Sequence, residues 1–303
     1  MNHKEQGSIK AIFYAFLANL GIGITKLFAA LYTGSGSMLA ESIHSFADTS
    51  NQVLLFIGLK RAKRPPDEQH PLGYGKTIYF WSFLVAIMLF SIGGIVSIYE
   101  GMHKIQNPKE IESVWIALTV LGISIILETF SLIGALKEIN EIKEEKSLLY
   151  WLNHSKNVEL VVVFGEDVAA LLGLIIAFVF VFLSSVFSDP FYDAIGSITI
   201  GVLLITVSFM ISIRIKSMII GESANLEIKE KIQEIIKEFP NVIYVFRIIT
   251  VQLGPDIMIS LKVKIRQDLS LEQAIENINT LEKRIKAEIP EIKWSFIEPD
   301  LSD

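Results

Sequence analysis

The sequence predicts an α-helical membrane protein, a six-helix transmembrane bundle followed by a small α+β domain. Three observations predict it. The composition is 51% hydrophobic and only 20% charged, where ordinary soluble domains carry about 25% charge. The apolar residues are gathered into runs that can span roughly 30 Å of hydrocarbon at about 1.5 Å per helical residue. Past Ile220 these runs give way to short apolar patterns interleaved with charge, as in a soluble lobe.

The six runs are Ile9 to Tyr32, Met38 to Leu59, Thr77 to Tyr99, Val114 to Leu136, Val158 to Phe187 and Phe191 to Ile213. The first is too long for a cleavable signal peptide, contains Asn19 and Lys26, and is followed by five more spans. The short link Thr33-Gly-Ser-Gly-Ser37 makes the first two spans an antiparallel hairpin. Basic residues in short loops mark the cytoplasmic side. Lys4 and Lys10 precede the first span, Lys60, Arg61, Lys63 and Arg64 follow the second, Lys137, Lys143, Lys146 and Lys156 lie between the fourth and fifth, and Arg214 and Lys216 follow the sixth. Both termini are therefore expected in the cytoplasm. On the other side only Lys104 and Lys109 dissent, accompanied by Glu100 and Glu110.

Residues 1–220 are read as the transmembrane domain and 221–303 as a cytoplasmic one. Leu226 to Phe239 carries Ile228, Ile232, Ile235 and Ile236 at helical spacing, and Val242 to Leu253 is rich in Val and Ile. Pro255 and Asp256 turn the chain into a strand at Ile257 to Ile265; Leu271 to Ile289 is helical again, and Ile292 to Ile297 reads as a last strand. The order helix, strand, strand, helix, strand describes an α+β sheet covered by helices on one face. No low-complexity linker separates this lobe from the sixth span, so the two parts are expected to be mechanically coupled.

Several function classes drop out. Without cysteine there are no disulfides, thiolate ligands or cysteine nucleophiles. A net charge of -6 provides no global basic footprint for a nucleic acid. The chemistry is sought instead among ionisable groups inside the spans, which are costly there and usually serve a purpose. In Glu41-Ser-Ile-His44-Ser-Phe-Ala-Asp48 the ionisable residues share one helical face. His44 and Asp48, one turn apart, can offer an imidazole nitrogen and a carboxylate to the same divalent ion; a packed polar seam is the alternative. The fifth span holds the adjacent acids Glu166 and Asp167. Counting from the span ends, Asp48 lies about 15 Å deep from one side and Glu166 about 12 Å deep from the other, so the two levels nearly coincide near the midplane, where transporters place coupling sites. Glu128, interior to the fourth span, reads either as a proton acceptor or as a helix contact. Asn19, Asn51 and Gln52 read as interhelical hydrogen bonders; His3, His103 and His154 read as solvated.

The passages Asn19 to Lys26, Thr33-Gly-Ser-Gly-Ser37, His44-Ser-Phe-Ala-Asp48, Arg64-Pro-Pro-Asp67, His70-Pro-Leu-Gly-Tyr-Gly-Lys76, Asp193-Ala-Ile-Gly-Ser197 and Ile297-Glu-Pro-Asp300 together resemble the cation diffusion facilitator family in order and spacing. The resemblance covers nearly the whole chain. It implies a six-helix homodimeric exporter of Zn, Fe, Mn or related divalent ions, exchanging them for protons, with a ferredoxin-like cytoplasmic domain. It also implies a metal site built from His44, Asp48, Glu166 and Asp167, and a hinge contact of opposite charges between Lys76 and Glu222.

The departures from the family pattern matter as much. Relatives supply a second His or Asp one turn before the acid of the fifth span, where this chain has Val162 and Val163. Asp67 and His70 match a peripheral loop site of some members, but Tyr74 stands where a second His is common. From Gly221 onward the chain has no His, so a histidine-built metal cluster is not expected in the lobe.

The expected function is divalent-cation efflux by alternating access, with no resident cofactor and no enzymatic step. Imidazole plus carboxylate suits Zn, although Mn and Fe accept the same donors. Deprotonation of such ligands on metal binding couples cation movement to proton movement. The competing reading is a membrane metal sensor or assembly scaffold that kept the fold and lost transport.

Overall fold

In the computed structural model, which describes residues 3–111, 113–143 and 147–302, those at 3–15, 17 and 18 by backbone alone, the chain is mostly helical. The side chains of His3, Lys4, Lys10 and Lys146, used above, lie outside the described residues. The helical part runs α1 His3–Thr33, α2 Gly36–Ala62, α3 Thr77–Met88, a π-helical stretch Leu89–Ile95, α4 Val96–Gln106, α5 Val114–Ile142, α6 Leu148–His154, α7 Val158–Phe187 and α8 Phe191–Ile220. Neither the π-helical stretch nor the short α6 is expected from the sequence. α3, the π stretch and α4 follow one another as a single apolar rod, Thr77–Gln106.

Among the described residues, four helical stretches are long and apolar enough to cross a membrane: Thr77–Gln106, α5, α7 and α8. Only 22 to 44% of their most apolar windows is buried within the protein, which leaves most of that surface for lipid. Phe130, Phe209 and Met210 are 66 to 69% exposed and face outward. α1 and α2 have the length, 31 and 27 residues. α2 is diluted by the polar residues along its buried face.

The chain divides into two compact units. The first runs through Ile57 and includes Trp81–Trp151 and Val158–Arg214; the second joins Gly58–Phe80, Leu152–Asn157 and Ile215–Asp303.

The first unit is closed at the α1–α2 turn by Asp193, whose carboxylate is fully buried. It accepts hydrogen bonds from Ser35 Oγ at 2.7 Å, Gly36 N at 2.6 Å and Ser37 N at 3.0 Å, and pairs with Lys104 Nζ at 2.7 Å. Three of these donors belong to the start of α2, where amide groups lack helical partners and the helix dipole favours a negative charge. The two motifs Thr33-Gly-Ser-Gly-Ser37 and Asp193-Ala-Ile-Gly-Ser197 are thus halves of one clasp. Lys104, a dissenter in the charge count, is its counter-ion.

In the second unit the sheet follows the expected element order: α9 Leu226–Lys237, β1 Val242–Leu253, β2 Asp256–Ile265, α10 Leu271–Glu288 and β3 Ile292–Pro299. The strand order is β1-β2-β3, with β1 antiparallel and β3 parallel to the central β2. β2 alternates strictly, burying Ile257, Ile259, Leu261, Val263 and Ile265 on one face. Ile232, Ile235 and Ile236 of α9 and Leu281 and Ile285 of α10 belong to the same apolar core. Ser270 and Gln273 start α10 with a reciprocal capping box. The segment His70 to Tyr79 packs on the β1–β2 turn: the Tyr79 hydroxyl accepts from Gly254 N at 2.9 Å, and a Cβ on Gly75 would stand 1.9 Å from Leu253 O. Only glycine permits that approach, which explains Gly75 in the motif before Lys76.

Candidate functional site

The polar face read from α2 exists. Glu41 and His44 are fully buried, as is Asn51, and the Asp48 side chain is 21% exposed. His44 Nδ1 stands 3.5 Å from Asp48 Oδ1, longer than an ordinary hydrogen bond. Neither ring nitrogen of His44 has a hydrogen-bond partner, and Asp48 Oδ1 has none. Buried polar atoms are almost always paired, so a turn of helix that leaves these atoms open can receive a cation or a proton.

α7 supplies the acids. Glu166, 7% exposed, accepts a 2.5 Å hydrogen bond from Asn51 Nδ2 of α2. That contact puts the fifth and second spans level where the depth count expects it, and it makes Asn51 the interhelical hydrogen bonder read from sequence. Asp167 turns elsewhere: Ser131 Oγ of α5 donates to its Oδ2 at 3.3 Å. The two neighbours therefore diverge by about 100°, as adjacent helical residues must. Asp167 faces the fourth span.

A cavity of about 60 Å³ lies between these helices, lined by Asn19 and Ile22 of α1, Ser45, Asp48 and Gln52 of α2, Glu128 and Ser131 of α5, and Val163, Glu166 and Asp167 of α7. Four carboxylates thus share one small space. Glu128 is brought to it, which sequence reading left open between two roles. His44 is not among the lining residues. Among the described residues no three His, Asp or Glu side chains stand close enough to enclose a single ion. Glu166 is hydrogen-bonded to Asn51 and Asp167 to Ser131.

One pair was not read from sequence. Lys26 of α1, 3% exposed, donates to Ser45 Oγ at 2.8 Å and stands 3.4 Å from Glu41 Oε2. The hairpin could have shown it, since Lys26 lies about two turns before the Thr33–Ser37 link and Glu41 about one turn after it, and a buried ammonium requires a partner.

The loop after α2 is differently built. Asp67 Oδ1 accepts from the backbone amides of Gln69 and His70, and Oδ2 accepts from the Tyr74 hydroxyl at 2.6 Å. The Tyr74 bond holds the Asp67 carboxyl below the usual carboxylate range and pushes the Tyr74 hydroxyl up. His70 Nδ1 is 3.5 Å from Asp67 Oδ1, and its ring packs on Tyr74 with centroids 4.2 Å apart. The acid is engaged in closing the turn. Glu222, expected opposite Lys76, is paired with Lys156. Lys76 Nζ lies beside the preceding residue, 3.8 Å from where a Cβ on Gly221 would stand. His103 and His154 are exposed.

Residues 12–219 match the family model described as the cation efflux transmembrane domain, and residues 224–300 match that of the cation efflux protein cytoplasmic domain. The chain is similar to the proton-coupled zinc antiporter SLC30A9, mitochondrial, of Xenopus laevis, at 31% identity over 281 residues covering 92% of this chain and 49% of that protein. It is also similar to metal tolerance protein C4 of Arabidopsis thaliana, 27% identical over 277 residues covering 90% and 60%. The cation-efflux pump FieF of Shewanella oneidensis is 26% identical over 266 residues covering 86% and 83%. The chain spans about half the length of the SLC30A9 proteins it matches. With both family models matched in order over nearly its full length, this chain belongs to the cation diffusion facilitator family.

Proposed function

We propose that the chain is a multi-pass membrane transporter exporting a divalent cation, with zinc favoured, in exchange for protons by alternating access in a homodimer. The observation that carries this reading is the acid-lined cavity between α2, α5 and α7, beside a His44–Asp48 turn whose donor atoms are unpartnered. His44, Asp48, Glu166 and Asp167 are the proposed metal residues, on a transport domain of residues 1–220. The domain of residues 221–303 is the proposed cytoplasmic dimerisation module, with both termini cytoplasmic. Lys76 joins the Lys156–Glu222 pair as the proposed hinge cluster, whereas Asp67 and His70 keep only a peripheral role because Asp67 is spent on its turn.

The cation enters as cargo, and the protein holds it through charge. A divalent ion among carboxylates in a lipid-enclosed space is bound strongly because water screens little there. Release then requires the ligands to take something back, and protons are what carboxylates and imidazole accept. The divergence of the α7 acids supports unequal roles. Glu166, facing α2, is the metal-binding acid, and Asp167, facing α5 with Glu128, carries the exchanged proton. Glu166→Gln is expected to weaken metal binding strongly, and Asp167→Asn to preserve binding while altering the pH dependence of flux. The reverse pattern overturns the assignment.

Zinc is supported by the imidazole beside the carboxylates and by the similarity to the SLC30A9 proteins, which are named as zinc antiporters. The preponderance of acids favours manganese or iron as the second candidates. A transport-inactive sensor or scaffold is supported by Val162 and Val163, which stand where relatives carry another ligand. Flux of Zn, Mn and Fe into sealed proteoliposomes across an imposed pH gradient decides among these: zinc uptake driven by the gradient is expected, and absence of flux for all three selects the scaffold.

A further inference from the structure

Lys26 has no task in the scheme above. It lies inside α1 at 3% exposure, where an ammonium without sufficient counter-charge is costly. Its two acceptors differ in kind. Ser45, at 2.8 Å, is part of the cavity wall. Glu41, at 3.4 Å, is not among the residues of that wall. The ion pair is slack, since a charge-assisted contact of this type closes to about 2.7–2.9 Å, and Glu41 Oε1 has no hydrogen-bond partner at all. The Glu41 carboxylate is seated against α7 at Gly173, where an added Cβ would stand 2.4 Å from Oε1.

An ammonium on a flexible four-carbon stem therefore stands between the rim of an acid cavity and a half-used carboxylate behind it. We infer that Lys26 is the built-in counter-cation of the metal site: it offsets the cavity acids between cargoes, and an arriving divalent ion drives it back onto Glu41. This rests on the proposed metal site and adds a property to it. A resident positive charge makes binding weaker than the carboxylates alone would make it, and it makes release faster. Affinity is exchanged for turnover. Lys26 is thus a positioning residue that acts through charge, not a ligand.

The test is zinc calorimetry on the purified full chain together with zinc flux in proteoliposomes. Lys26→Gln is expected to tighten zinc binding by about tenfold or more, as like-charge repulsion in a poorly screened site is lifted, and to slow flux at saturating zinc. Lys26→Arg, which keeps the charge, is expected to retain wild-type affinity. A structural role for the pair moves affinity and flux down together, so the opposed directions separate the two. Should Lys26→Gln not fold, the double variant Lys26→Gln with Glu41→Gln leaves no orphaned charge. It is expected to shift affinity in the same direction by less, because Lys26 sits against the cavity wall at Ser45 whereas Glu41 is not part of that wall. Unchanged or weaker binding in the neutral variants overturns the inference. If the wild-type chain does not bind zinc, or Asp48→Asn binds it equally well, the metal site itself is wrong and the inference falls with it.

Discussion

Asp193→Asn tests the clasp at the α1–α2 turn. The wild-type carboxylate spends Oδ1 on Ser35 Oγ and Ser37 N, and Oδ2 on Gly36 N and Lys104 Nζ. An amide can accept at only one end. Placed with its NH₂ toward Oδ2, it opposes an amide hydrogen and an ammonium; placed the other way, it opposes Ser37 N while Ser35 can rotate its hydroxyl. The second arrangement is cheaper, yet it still leaves Lys104, with a side chain only 10% exposed, facing a neutral group. Breaking a buried ion pair from one side costs about 3–5 kcal/mol. We expect a loss of that size in reversible unfolding in mixed micelles, together with faster hydrogen exchange at Gly36 and Ser37. Asp193→Asn combined with Lys104→Met removes the orphaned charge and is expected to recover about half of the loss. A cost below about 1 kcal/mol, or a double variant whose losses simply add, refutes the clasp as an ion-paired unit.

Three further outcomes follow from the second unit. Tyr74→Phe removes the main cause that holds Asp67 below the usual carboxylate range, so the Asp67 carboxyl is expected to titrate higher in a carbon-detected NMR series. In the wild type the stabilisation of that turn is present above the ordinary carboxylate pKa and is lost as pH falls through the lowered one; an unmoved titration in the variant contradicts the hydrogen bond. Gly75→Ala forces a Cβ to within 1.9 Å of Leu253 O, and a large fall in melting temperature is expected, well beyond that of an exposed Gly→Ala change; a fall of only a degree or two contradicts the close approach. Glu222→Lys should lose flux and Glu222→Lys with Lys156→Glu should regain it, whereas rescue by Lys76→Glu instead would assign the pair to Lys76.

The lobe was legible in the sequence because its patterns are local. Strict alternation in Ile257 to Ile265 and helical spacing in Leu226 to Phe239 each state a buried face without reference to the rest of the chain. The shared face of Glu41, His44 and Asp48 was legible for the same reason, and the depth count placed Glu166 at its level. What escaped depends on how helices are rotated against one another. Nothing local says that Glu166 meets Asn51 while Asp167 meets Ser131, or that Glu128 reaches the same cavity. The π-helical stretch Leu89–Ile95 carries the adjacent Gly93 and Gly94, a helix-weakening signal that the surrounding apolar run overrode in the reading of a continuous span. Lys104 and Asp193, 89 residues apart, were visible only as a stray basic residue and a motif. Asp67 and His70 were matched to a loop site by family resemblance, and only the geometry of Tyr74 shows how the Asp67 oxygens are used.

The central claim is that a divalent cation crosses through the space between α2 and α7. Zinc flux into proteoliposomes, driven by a pH gradient and compared between wild type, His44→Ala and Asp48→Ala, tests it most directly, with circular dichroism confirming that each variant is folded. Gradient-driven flux is expected in the wild type, and its loss in both folded variants. Near wild-type flux in either variant contradicts it.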